Sequence, residues 1–237
     1  MEDASGRDLS QFRLWYRQSG TPLLEVQSSF DDKAHTYTLS FKQSCPDTPG
    51  QKDKKPFVLP VKLGLVGADG SDLVLNSEGD TEIVLELTEA EDRIVISNVS
   101  SEPVPSLLRG LSAPVKLDYP YTVDELAHLM ANDSDGFNRW DACQALSLGV
   151  LKQLAVDSLN NKELSLDGHL IDAFRGLLED SSLDPAMVAL MLQLPPEALL
   201  YELAEVINPE AIPDARSFVR TALAGALESQ LLSVYET

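Results

Sequence analysis

Hydrophobic residues fall at every second position through the first half of the chain, and at every third or fourth through the second half. Tyr37, Leu39 and Phe41 alternate with Thr38, Ser40 and Lys42. Phe57, Leu59, Val61, Leu63 and Leu65 alternate with a set that includes Pro60, Lys62 and Gly64. Ile83, Leu85 and Leu87 do the same against Glu82, Val84 and Glu86. Each run turns one face to a core and the other to solvent, as half-buried strands do. Turn residues separate the runs at Asp31-Asp32-Lys33, Gly67-Ala68-Asp69-Gly70 and Ser77-Glu78-Gly79-Asp80. The pattern predicts strands near 22–28, 36–43, 57–66, 71–75, 81–87, 92–98 and 113–118. Short strands at that spacing predict an antiparallel β-sandwich of immunoglobulin-like size. Pro60 has no N–H for a ladder, so it belongs at an edge or a bulge. The stretch 45–55, CPDTPGQKDKK, reads as a long, charged, mobile loop.

After Tyr119 the period is helical to the end. Thr122 with Glu125 forms a capping box ahead of a short helix. Phe137, Trp140, Cys143, Leu146, Val150 and Leu154 mark the apolar stripe of a longer helix. Leu166, Leu170, Phe174 and Leu178 mark a third. Asp184-Pro185 and Asn208-Pro209 each place a capping residue before a proline at the first helical position. Pro213 predicts a break in the last segment. Helices with short links suggest antiparallel pairs stacked as a solenoid-like array of armadillo or HEAT type, although the sequence carries no clean repeat. The amphipathic segment with Phe218, Leu223, Leu227, Leu231 and Leu232 presents an apolar face at its end. At the other end, residues 8–18 read as a short helix with Phe12, Trp15 and Tyr16 on one aromatic face, which reads as the tail of a preceding domain.

Composition narrows the partners. The 237-residue chain carries a formal net charge of −20, unevenly spread. Residues 1–118 hold 12 Lys and Arg against 19 Asp and Glu, and residues 119–237 hold 6 against 19. A field of that sign repels phosphate, which argues against nucleic acid and anionic membrane and leaves cationic peptides as the electrostatically favoured class. Cys45 and Cys143 make neither a disulfide framework nor a metal-ligand spacing, so a reducing, cytoplasmic setting is expected. No run approaches the length of a membrane span, and the polar start MEDASGRD has no apolar core of a signal peptide.

A search for chemistry returns little. A catalytic zinc centre of the H-E-x-x-H kind needs two histidines one helical turn apart. His35, His128 and His169 are followed by no such pattern and are far apart in sequence. His128 and His169 fall on predicted helices, as surface or boundary residues. No P-loop, G-x-S-x-G or G-x-G-x-x-G occurs. Asp133-Ser-Asp135-Gly136 resembles a calcium loop only superficially. With Gly136 at the sixth position, alanines 131 and 142 occupy places that require carboxylates. Asp133 or Asp135 is better read as a helix N-cap. The expectation is therefore no catalytic, metal-binding or cofactor-binding residue in this chain. Trp140 and Asp141 admit two readings. One is a partner-facing pair. The other is a core tryptophan, costing about 3–5 kcal/mol on truncation, with a carboxylate tying down a helix end or Arg139.

Two segments carry a resemblance. Asp8–Pro22 (DLSQFRLWYRQSGTP) and Asp133–Leu146 (DSDGFNRWDACQAL) are similar to stretches of bacterial aminopeptidase N, a zinc metallo-aminopeptidase. Pro103-Val-Pro-Ser-Leu-Leu108, Ser112-Ala-Pro-Val-Lys-Leu117, Asp172-Ala-Phe-Arg175 and the closing Leu-Leu-Ser-Val-Tyr235 resemble the same family in the same order. The resemblance implies that residues 1–20 are the helical tail of a catalytic domain. It makes 21–118 an immunoglobulin-like β-sandwich, and 119–237 the first part of an α-helical repeat domain. The zinc ligands and the general base of that family lie in segments that nothing here matches. The implied role is architectural, with a catalytic domain of the same polypeptide as partner, zinc as its cofactor and peptides as its substrates. The competing reading is a free-standing interaction module of sandwich plus helical repeats.

Overall fold

Alternation in the first half resolves into two facing sheets. The computed structural model describes residues 2–204 and 207–236. In chain order the first unit runs α1 (Glu2–Ser5), a 3-10 turn (Phe12–Tyr16), β1 (Leu23–Asp31), β2 (Thr36–Ser44), β3 (Leu59–Val66), β4 (Glu82–Leu87), β5 (Glu91–Ser97), β6 (Val104–Leu107), a second 3-10 turn (Arg109–Leu111) and β7 (Lys116–Asp118). One sheet has the order β5-β2-β1-β7, with β7 parallel to β1, and the other has β4-β3-β6. The register pairs Val26 with Phe41 and Phe30 with Tyr37, so these side chains share the inner face. They meet Phe57, Leu59, Val61, Leu63 and Leu65 of the opposite layer, all buried. This is the expected antiparallel sandwich.

One expected strand is lost and one that was not expected appears. Residues 71–75 form only an isolated bridge, Asp72 to Val66, because close turns on either side leave no room for a ladder. The segment 104–107 is a strand instead, paired with β3 through Leu63 to Val66. Pro103 and Pro105 had hidden it from a propensity reading. Pro60 sits in β3, the middle strand of its sheet, yet the position is locally an edge. β6 covers β3 only from residue 63 onward, and the Lys62 N–H bonds the Ser112 hydroxyl at 2.9 Å rather than a strand. Two residues earlier on that side, a missing N–H costs nothing.

Loop 45–55 is stitched down rather than loose. Thr48 and Gln51 exchange backbone hydrogen bonds of 3.0 and 2.9 Å, and Lys54 donates to the carbonyls of Ser19 and Pro46 at 2.6 Å each. Gln18 bonds both the N–H and the C=O of Lys55. The expected helix over 8–18 is a single 3-10 turn, and its aromatic face is divided. Trp15 packs on Phe57 at 4.6 Å between centroids and donates to the Val58 carbonyl, while Tyr16 is 82% exposed.

Two buried polar groups brace the sandwich. Gln43 lies on the core-facing set of β2, where its amide donates to the carbonyls of Phe57 and Glu89 and its oxygen accepts the Phe57 N–H at 2.8 Å. Gln43→Leu should cost about 1–3 kcal/mol, since it strands backbone groups away from water. An unchanged urea midpoint would show that these groups find other partners. Arg109, 1% exposed, bonds the Asp72 carboxylate at 2.7 Å and the Ser106 hydroxyl at 2.8 Å, and its guanidinium lies flat over Gly64.

The second unit is helical: α2 (Val123–Asn132), α3 (Gly136–Leu159), α4 (Gly168–Glu179), α5 (Pro185–Met191), α6 (Glu197–Leu203), α7 (Ala211–Ala226) and α8 (Glu228–Tyr235). Contacts divide the chain at Tyr121 and Thr122. The Thr122–Glu125 capping box forms, and Asp184 caps α5 with Pro185 at its first position. Asp135, not Asp133, caps α3. Asn208 accepts the N–H groups of Glu210 and Ala211, so its cap precedes α7 by a turn. Pro213 does not break the helix. It falls in the first turn of α7, where its missing N–H would have had no helical partner, and the break comes at Leu227. α3 is the spine, packing on α2, α5 and α7 around Cys143, Leu146, Leu151 and Leu154.

Candidate functional site

The groups with coordinating chemistry are dispersed. His35 stands in the β1–β2 turn with a left-handed backbone, φ 50°. His128, on α2, has its Nδ1 against the Asn132 amide. His169, at the start of α4, contacts the Asp167 carboxylate, which raises the pKa of the imidazole. Cys143 is buried on α3 and donates to the Met191 carbonyl at 3.3 Å; burial pushes its thiol up to about 12. A thiol held that firmly protonated is a poor thiolate donor. Among the described residues no group of three or more His, Cys, Asp or Glu side chains could hold a metal ion. These residues do not fit a zinc centre.

The feature that does gather side chains is a groove of about 440 Å³ in the helical unit. One wall is the first two turns of α3, where Phe137 and Trp140 stand 5.6 Å apart between ring centroids. The other wall comes from α5 and the link to α6, through Met187, Leu190, Leu194 and Pro196. The Gln144 amide donates to the Gln193 carbonyl at 2.9 Å and fixes the spacing of the walls. Gly136 permits the approach, since a Cβ there would meet the Met187 methyl at 3.1 Å.

This placement corrects the expectation for Trp140. The ring is part-buried at a groove, not a core side chain. Asp141 ties down neither a helix end nor Arg139. Arg139 donates to the carbonyls of Met130 and Ala131 and reaches Asp180 at 3.5 Å. Asp141 itself is exposed, and desolvation holds its carboxyl above the usual carboxylate range. Such a group favours folding fully below its unfolded pKa, and the benefit is lost as pH rises past the folded value. Because more than a third of the residue is open to solvent, the effect is a fraction of a full burial penalty. Trp140 was visible in the sequence as a residue to explain. Met187, Leu190 and Gln193 were not, because only the packing of α5 on α3 brings them beside it.

Comparison with known proteins places the chain. Residues 20–120 match a family described as a domain of unknown function (DUF3458) with an Ig-like fold, and residues 123–237 match its ARM-repeat companion (DUF3458_C). Aminopeptidase N of Escherichia coli is 40% identical over 236 residues, 99% of this chain, and that of Haemophilus influenzae is 36% identical over the same length. Nearly the whole chain is thus similar to one segment of aminopeptidase N. It spans 27% of the length of these two curated relatives. A crystal structure of Legionella pneumophila aminopeptidase A, in complex with aspartic acid, superposes with a TM-score of 0.80 at 27% identity. The match covers 98% of this chain and 25% of that one. The fold is thus an Ig-like domain followed by an ARM-repeat domain. Among the described residues no helix is long and apolar enough to cross a membrane.

Proposed function

We propose that this chain is the non-catalytic, architectural segment of a zinc-dependent aminopeptidase whose full polypeptide removes N-terminal residues from peptides in the cytoplasm. The observation that carries this reading is the co-linear match of 99% of the chain to about a quarter of each of two proteins named aminopeptidase N. In it the β-sandwich, residues 21–118, is the spacer that positions the helical array, 119–237, over a catalytic domain. Residues 1–20 are the tail of that domain. Zinc is bound by the catalytic domain and not here.

Rigidity supports the spacer role. Gln11, Trp15, Gln18 and Gln51 bond the leading segment to the sandwich, so any domain before it would join a braced strut and not a flexible link. Incubation of the purified chain with zinc and aminoacyl chromogenic substrates is expected to give no turnover above a buffer blank. Zinc-dependent hydrolysis that a chelator abolishes would overturn the reading for this chain.

A further inference from the structure

We propose that the Phe137–Trp140 groove is a docking site for a basic, aliphatic peptide segment, whose apolar side chains fill the space between α3 and α5 and whose lysine or arginine cation lies over Trp140 beside Asp141. The inference rests on the groove itself and not on the aminopeptidase reading. Its volume, about 440 Å³, is within the range of sites that enclose ligands. The lining is apolar and open: Leu190 is 50% exposed, and Phe137 and Trp140 are both only part-buried. A part-exposed indole is the preferred seat for a cation, and arginine uses it more often than lysine.

Charge selects the partner. Asp141 stands one helical turn from both Phe137 and Gln144, positions that are neighbours on a helix surface. It makes no hydrogen bond or ion pair among the described residues, and desolvation disfavours its bare charge. Glu197 follows Pro196 on the opposite wall. Two arginines adjacent in sequence or contact to the groove walls are committed elsewhere. Arg139 is held by two carbonyls and Asp180, and Arg216 Nε donates to the Pro195 carbonyl at 3.0 Å. The helical half brings 19 acidic residues against 6 basic ones, a field that attracts cationic segments. That field also disfavours a second copy as the occupant, since each copy would bring −20 to the contact.

The test is a titration of the 237-residue chain with acetyl-Arg-Leu-Leu-Arg-Leu-amide, and separately with the same peptide carrying Glu for Arg. The readout is the two tryptophan indole N–H resonances, assigned with Trp140→Phe. The Arg peptide is expected to shift the Trp140 signal saturably and to leave that of Trp15 in place. Asp141→Asn, an exposed and isosteric change that spares the fold, should weaken binding about tenfold, and added salt should weaken it in the wild type. Equal binding of the Glu peptide, unchanged affinity in Asp141→Asn, or an unmoved Trp140 signal would each overturn the proposal. So would concentration-dependent self-association that shifts Trp140 without peptide, since the occupant would then be a second copy.

Discussion

Arg109→Ala is expected to destabilise the β-sandwich by about 3–5 kcal/mol, the range for breaking a buried ion pair by removing one partner. Three features put the cost there and not near that of a surface pair. The guanidinium is 1% exposed and donates to both Asp72 and Ser106. It also sets the geometry of its turn, where Leu108, Gly110 and Leu111 all have left-handed φ of 55–62°. Two leucines in that region are unfavourable on their own and persist only when the surroundings hold them. Finally, the side chain closes over Gly64, the one position of β3 where a Cβ would overlap it, at 2.7 Å from Nε and nearer still to Cζ. Gly64→Ala alone should therefore cost about 1–3 kcal/mol by overpacking. With Arg109→Ala already in place the same methyl meets open space, so the two changes should be strongly non-additive. Urea unfolding of the two single variants and the double variant, followed at Trp15, reads this directly. Additive costs would mean that the guanidinium does not rest on Gly64 in solution.

What the sequence could reveal depended on how local the physics was. Period-two alternation is written residue by residue, so β2, β3 and β4 were legible. Capping is a three-residue affair, so Thr122–Glu125 and Asp184–Pro185 were legible as well. β6 was not, because Pro103 and Pro105 argue against a strand until its neighbour β3 is known to leave that edge open. Loop 45–55 looked mobile because a run rich in charge, proline and glycine gives no sequence sign of the contacts that hold it. Lys54 bonds Pro46 and Thr48 within the loop, but its third oxygen acceptor, the Ser19 carbonyl, arrives only once the leading segment is folded back. Arg109 is the extreme case, since an arginine in a Gly-containing turn gives no sign of being fully buried. The groove failed for the same reason. Trp140 and Phe137 stood out, but their opposite wall lies about fifty residues further along the chain.

Phe174→Ala should cost about 3–5 kcal/mol, whereas Trp140→Ala should cost less than half as much. Residue type alone predicts the reverse, because tryptophan has more surface to bury. Position decides it. Phe174 is 1% exposed on α4, which also buries Leu170, Leu177 and Leu178, so its removal forfeits nearly all of its transfer energy and hollows the packed interior. Trp140 has a groove on one side, so its deletion deepens an existing hollow that water or neighbouring Met187 can enter. Only part of its transfer energy is then at stake, and little cavity energy is added. Far-ultraviolet circular dichroism during thermal unfolding separates the two outcomes, since the helical unit dominates that signal. A Trp140→Ala loss as large as that of Phe174→Ala would return Trp140 to the core and leave the groove without an open ring to receive a cation. A small loss means that the ring contributes less to stability than its size allows, as expected of a side chain kept available for a partner.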